Sequence, residues 1–360
     1  MTQTPTKQLT AASWPASTRF LKIPGSRHTL RVNLRSLTVT VTLAVLALAV
    51  GFWSLTIGDS TLNFSDVLAA LRGQADDGIY RVVVHWRLSR ITLALLGGAA
   101  LALSGALFQT LTNNPLGSPD IIGFNTGAYT GALIGMLVFQ TSHTGSVLGA
   151  MLGGLFTAAM IYLLALRKGL TGFRLIVIGI GISALLGSIN TYLLLTAKLE
   201  SAVSAAIWGA GSINTATWAD VLTVAVVLLV CLPFLARLSG DISMLPFGDD
   251  VAISRGVQVD RLRRWMILLA VALTAGVVSV AGPIAFIALV APQIAVRMTK
   301  TGTIPLPASA MLGALLLVTS DLISRTIVAP TQLPVGTVTV VVGGCYLVWL
   351  LINQSRKNRA

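Results

Sequence analysis

Three groupings of residues in this chain are of a type and spacing to do chemistry. In the first, Gly248-Asp249-Asp250-Val251-Ala252-Ile253-Ser254-Arg255-Gly256, acids stand at one end, a cation at the other, and a glycine follows. That order predicts a two-turn helix with charges matched to its dipole and a left-handed stop. The charged stretch around it, residues 244–264, lies between apolar runs of membrane length, so the helix is expected on a membrane surface, as a device for docking another protein. An ordinary solvated connector has the same composition. The second grouping is Arg87 and Arg90 beside Trp86, with Arg325 four residues after Asp321. These arginines suit snorkelling anchors, or a set of cations offered to carboxylates of an incoming protein. The third is uncharged: Gln109, Asn113, Asn125, Thr126 and Asn190 lie within or at the ends of apolar runs. Together such groups line a water-filled passage; singly, each serves as well for a bond between helices.

Other chemistry is excluded. The dipeptide Gly-Lys never occurs, so there is no Walker A phosphate loop and ATP hydrolysis must belong to another subunit. Asp220 and Asp321 fall at the edges of apolar runs, and His28, His85 and His143 fall outside them. An ion-coupled carrier working alone needs an ionisable group near the middle of a span, which disfavours that class. Cys231 and Cys345 each sit inside an apolar run, where a thiol acts as a small hydrophobe, and no disulfide, metal or bound cofactor is expected.

The elements that position these groups follow from hydropathy. Of 360 residues, 54% are hydrophobic and 10% charged, against about a quarter charged in soluble domains. The chain is an all-α, polytopic membrane protein. Residues 1–36 carry six bases and no acid and read as a basic cytoplasmic arm; 37–355 form the membrane domain, with 240–264 as a cytoplasmic loop; 356–360 are a basic tail. The first apolar run, residues 37–57, exceeds a signal-peptide core and is read as a retained span. Residues 121–166 must cross twice, turning at the polar segment 140–146. Residues 265–296 are read as two short crossings broken at Gly282-Pro283. Ten transmembrane helices then place 19 of the 25 bases on the cytoplasmic side, whereas a single crossing there gives 15 against 10. The positive-inside rule selects ten, with both termini cytoplasmic. Gly123, Gly127, Gly131 and Gly135 form a smooth ridge at spacing four, matched by Gly149 and Gly153, which predicts close helix packing. The segment Trp208-Gly-Ala-Gly-Ser212 lies outside, between the fifth and sixth spans, and is a candidate part of a gate.

Three separated motifs carry a family resemblance. Asn113-Asn114-Pro115-Leu116-Gly117-Ser118-Pro119-Asp120 with Gly123-Phe-Asn-Thr-Gly-Ala128, then Gly282-Pro283-Ile284-Ala-Phe286 through Pro292-Gln293 to Arg297, and Leu333-Pro334-Val335-Gly336 resemble the permeases that import iron-siderophores, haem and vitamin B12 through ABC transporters. The resemblance runs from about Trp53 to Arg356. It implies type II importer architecture, a second homologous permease subunit, two copies of a cytoplasmic ATPase that uses ATP and magnesium, and an extracytoplasmic binding protein. It further implies an inner-membrane permease without catalytic residues. It assigns Gly248, Asp249, Asp250, Ala252, Gly256 and Val257 to ATPase coupling, with Arg255 standing where many relatives are apolar, and Arg87, Arg90 and Arg325 to docking of the binding protein. Gln293 stands where relatives often carry histidine. The wording NPLGSPD, GFNTGA, FRLIVIGIGI and FGDD points within the family to a catecholate siderophore and a heterodimer; haem, cobalamin and other siderophores are the alternative cargoes.

Overall fold

The computed structural model describes residues 18–22, 29–58, 62–141, 143–166 and 172–357. Most of the basic arm, the bases Arg167 and Lys168, and residues 358–360 of the tail lie outside the described residues. Within the arm, β1 (Thr18–Lys22) and β2 (Thr29–Asn33) pair as an antiparallel hairpin, Thr18 opposite Asn33. From there on, the described chain is helical.

The elements run α1 (Leu34–Ser54), α2 (Phe64–Leu71), α3 (Asp77–Tyr80), a π-helical stretch Arg81–Leu88, α4 (Ser89–Thr112), α5 (Pro119–Ile122), α6 (Phe124–Leu133) with a π-helical extension Ile134–Val138, α7 (His143–Leu166) and α8 (Gly172–Thr196). There follow α9 (Leu199–Gly209), α10 (Trp218–Ile242), a 3-10 turn Leu245–Phe247, α11 (Asp249–Ser254), α12 (Val259–Ala281), α13 (Ile287–Thr299), α14 (Leu306–Thr326) and α15 (Val335–Lys357). Polar residues start them: the Asn33 side chain accepts from Arg35 N and Ser36 N ahead of α1, and Thr217 with Asp220 forms a capping box on α10. The polar turn expected over 140–146 is shorter, α7 being helical from His143.

Among the described residues, seven helices are long and apolar enough to cross a membrane: Leu34–Ser54, Asp77–Thr112, Thr144–Ala165, Gly172–Thr196, Trp218–Phe247, Val259–Ala281 and Leu306–Thr326. Ile287–Thr299 and Val335–Leu350 are shorter apolar helices. α4 and α12 are mostly buried inside the protein, while α1, α7, α8 and α10 turn most of their apolar surface outward, as lipid requires. The centre is built by close backbone approach. A Cβ on Gly98 would lie 2.3 Å from the Gly313 carbonyl oxygen, and one on Gly313 2.2 Å from that of Gly98, so α4 and α14 cross glycine on glycine. Ser104 joins α4 to α12 by bonds to Ala270 O at 2.8 Å and Thr274 Oγ1 at 2.7 Å. The predicted ridge packs α6 on α7, where Cβ positions on Gly131 and Gly153 would lie 2.0 Å from Gly149 O and 2.4 Å from Gly127 O.

The run that the sequence divides at Gly282-Pro283 is divided there. α12 ends at Ala281, with Gly282 N still bonded back to Val278 O at 2.9 Å, and α13 begins at Ile287, leaving residues 282–286 outside regular helix. Gly282 turns the chain at φ +68, and an added Cβ would lie 2.2 Å from Trp208 O.

Candidate functional site

The broken segment gathers all three sequence motifs. Ser212 N donates to Ala281 O at 2.7 Å, and Gly336 N donates to Gly211 O at 3.0 Å, so the segment 208–212 and the start of α15 close over the end of α12. At the other end of the break Asp120, on α5, accepts from Phe286 N at 3.2 Å and from Asn125 Nδ2 at 2.5 Å. The first-turn donors of a helix have no partner within it, and a carboxylate there is also favoured by the helix dipole. One turn on, Gln109 Nε2 donates to Leu289 O at 2.9 Å and Gln293 Nε2 to Gln109 Oε1 at 2.7 Å. Gln293 thereby acquires a packing role: it pins α13 to α4.

Of the five polar residues proposed for a passage, Gln109 and Asn125 meet at this seam. Asn113 is exposed and closes α4 in a left-handed conformation, Thr126 lies in the first turn of α6, and Asn190 is buried on α8 with its Oδ1 unpartnered. In the sequence Asp120 shows only as the last residue of a motif between two apolar runs, which conceals that it reaches the start of α13. Asp120→Ala is expected to cost about 1–2 kcal/mol, as loss of a cap does, with Asp120→Asn recovering part of it. Thermal unfolding of the detergent-solubilised protein checks this.

The three arginines converge on one cavity of about 390 Å³, lined by Gly58, Val82, Trp86, Arg87, Arg90, Asn214, Arg325 and Gln332. On the π-helical stretch before α4, Arg87 is 7% exposed while its neighbour Trp86 is 62% exposed, the two facing different sides of the helix. Arg87 Nη1 donates to Leu55 O at 2.7 Å; Arg325 donates to Ile57 O at 3.2 Å and to Ser54. Two guanidiniums thus cap the carbonyls at the end of α1. Asp321, wholly buried, takes Arg90 Nε at 2.7 Å and lies 3.3 Å from Arg325 Nε. The arginines wall the cavity and tie α1, α4 and α14 together; they do not project as free tips.

On the opposite face, α11 is a single short helix rather than two full turns. Gly248 enters it at φ +102 and Gly256 leaves it at φ +83, conformations natural to glycine. Asp249 and Asp250 occupy its first turn, and Arg255 falls just beyond its last. Ala252 and Val257 are buried, fastening the helix to the body, and Asp249 pairs with Arg263 on α12 at 2.9 Å. Phe247, Val251 and Ile253 are exposed. Their exposure has no signature in the sequence, where they fall among charged residues.

The FecCD transport family model matches residues 46–353. The chain is 49% identical over 324 residues to the ferric enterobactin transport system permease protein FepG of Escherichia coli (strain K12), covering 90% of this chain and 98% of that one. It is 35% identical to the achromobactin transport system permease protein CbrC of Dickeya dadantii (strain 3937), over 91% and 95% of the two chains. A solved structure described as an inward-facing conformation of a metal-chelate type ABC transporter superposes with TM-score 0.79 at 27% identity, covering 88% of this chain and 99% of that one. A membrane-spanning helical bundle, three motifs meeting at one broken helix, and relatives matched along almost their whole length lead to one conclusion: the chain belongs to the FecCD transport family.

Proposed function

We propose that this chain is a permease subunit of an ATP-driven importer carrying a ferric siderophore of the catecholate kind across the cytoplasmic membrane. The observation that carries the cargo assignment is the 49% identity to a ferric enterobactin permease along nearly its full length. In this reading the seven long spans are joined by residues 124–138, α13 and α15 to make ten crossings, with both termini and α11 on the cytoplasmic side. A second, homologous permease subunit completes the pathway, and two ATPase copies bind ATP with magnesium and supply all the catalysis. Closure of the ATPase pair presses on α11 through Phe247, Val251 and Ile253; the push passes into α12 and the bundle rocks from outward to inward opening. The outer cavity of Arg87, Arg90 and Arg325 receives carboxylates of the extracytoplasmic binding protein, which releases the chelate into the pathway.

The test is uptake of labelled iron from a catecholate siderophore by cells lacking the chain and by the complemented strain, with a hydroxamate siderophore and labelled cobalamin in parallel. Loss confined to the catecholate and restored by complementation is the expected result. Unchanged catecholate uptake overturns the cargo.

A further inference from the structure

We infer that Gln332 is a placeholder: its side-chain oxygen occupies the position at Arg90 that a carboxylate of the docking protein takes over. The inference rests on the docking reading of the outer cavity. Arg90 is 5% exposed, and its nitrogens differ in what they hold. Nε donates to Asp321 Oδ1 at 2.7 Å, Nη1 donates to Gln332 Oε1 at 2.7 Å, and Nη2 is buried with no acceptor. Asp321 is completely buried on α14, whereas Gln332 is exposed in the turn between α14 and α15. Of the two acceptors, therefore, only Gln332 is replaceable from outside.

The unfilled donor follows from the chemistry of the amide. A glutamine offers one acceptor oxygen, and its other terminal atom is itself a donor, so it satisfies Nη1 and leaves Nη2 empty. A carboxylate presents two acceptor oxygens at the spacing of a guanidinium edge and fills Nη1 and Nη2 together, in the stronger charge-assisted geometry. A neutral acceptor keeps Nη1 from being bare before docking and adds no negative charge of its own to repel the partner's carboxylate. A glutamate of the same shape would fill the site permanently.

The experiment uses the assembled transporter, with its second permease subunit and both ATPases, in lipid nanodiscs. Binding of the extracytoplasmic protein of the same system, loaded with ferric enterobactin, is followed by surface plasmon resonance. Gln332→Glu is expected to bind it about tenfold or more weaker than Gln332→Ala, which uncovers Arg90. The two differ only at an exposed side chain, so the comparison does not depend on a buried-arginine variant folding. Equal affinities for the Ala and Glu variants, with Arg90→Gln weakened, overturn the placeholder and leave the docking reading intact. Unchanged binding by Arg87→Gln, Arg90→Gln and Arg325→Gln alike rejects the docking reading itself, and the inference with it.

Discussion

Deleting residues 248–256 is expected to abolish uptake while the protein still accumulates in the membrane and its ATPase partners still hydrolyse ATP. The deletion removes α11 and the two glycine turns that frame it, but none of the long spans. What is lost is mechanical. Ala252, with no exposed surface, seats α11 on the body, and Val257 N returns to Ala252 O at 3.1 Å, so the helix and the strap behind it move as one piece. The Asp249–Arg263 pair joins that piece to the first turns of α12, which runs through the centre of the bundle and ends at the break. A force applied to the exposed Phe247, Val251 and Ile253 therefore has a rigid route to residues 282–286. Asp249→Lys keeps the helix but sets like charges against each other, at a surface position where a pair is worth no more than about 1 kcal/mol. Its folding is expected to survive and its coupling to suffer. Uptake into vesicles, measured beside ATP hydrolysis and membrane abundance, separates the two variants. Transport retained in the deletion rejects this route.

The largest effect on assembly is expected from glycine at the crossing of α4 with α14 and α13. A methyl group on Gly105 would lie 1.7 Å from Ala288 O and 2.5 Å from its carbonyl carbon, and one on Gly98 would meet the backbone of Gly313 and Ala314. The obstructing atoms are backbone, so no rotamer change relieves the clash, and two helices must move apart. Overpacking of this kind costs about 1–3 kcal/mol where side chains yield, and more where the backbone must. In lipid the parting helices also lose the contact that holds them, because no hydrophobic drive favours helix on helix over helix on lipid. Gly98→Leu and Gly105→Val are expected to leave little folded protein. Gly181→Ala on α8 is the control: nothing lies within 4 Å of the added atom, and alanine is about 1 kcal/mol the better helix former. Detergent-resistant yield and thermal unfolding of the three variants check this. Normal yield for Gly105→Val would mean that α13 is not held as described.

The sequence reveals some of these features and hides others for physical reasons. The apolar runs and the break at Gly282-Pro283 are legible because a bilayer imposes length and removes charge. Facing is much less so: lipid and protein interior are both apolar, so α8 and α12 read alike although one is mostly exposed and the other mostly buried. Glycine spacing partly replaces the missing periodicity, as Gly127, Gly131, Gly149 and Gly153 show. The partners of a polar residue are not legible at all. By type Gln109 and Asn125 suit a passage, yet they are occupied in pinning α13 and Asp120. The sequence brings the arginines near Trp86 together by type, but the π-helical stretch Arg81–Leu88 that carries Arg87 has no signature in composition.

The opening at residues 282–286 is sealed by groups that emerge from the ribosome at very different times: Asp120 early, Gly211 and Ser212 midway, and Gly336 almost last. Until α15 enters the bilayer, Gly211 O beside that opening lacks the hydrogen bond from Gly336 N, and bare peptide groups in hydrocarbon are costly. The nascent chain therefore carries a gap at its core until synthesis is nearly over. A chain cut short before Val335 therefore lacks the last of the three closures, so the core of the bundle is completed only by its final helix.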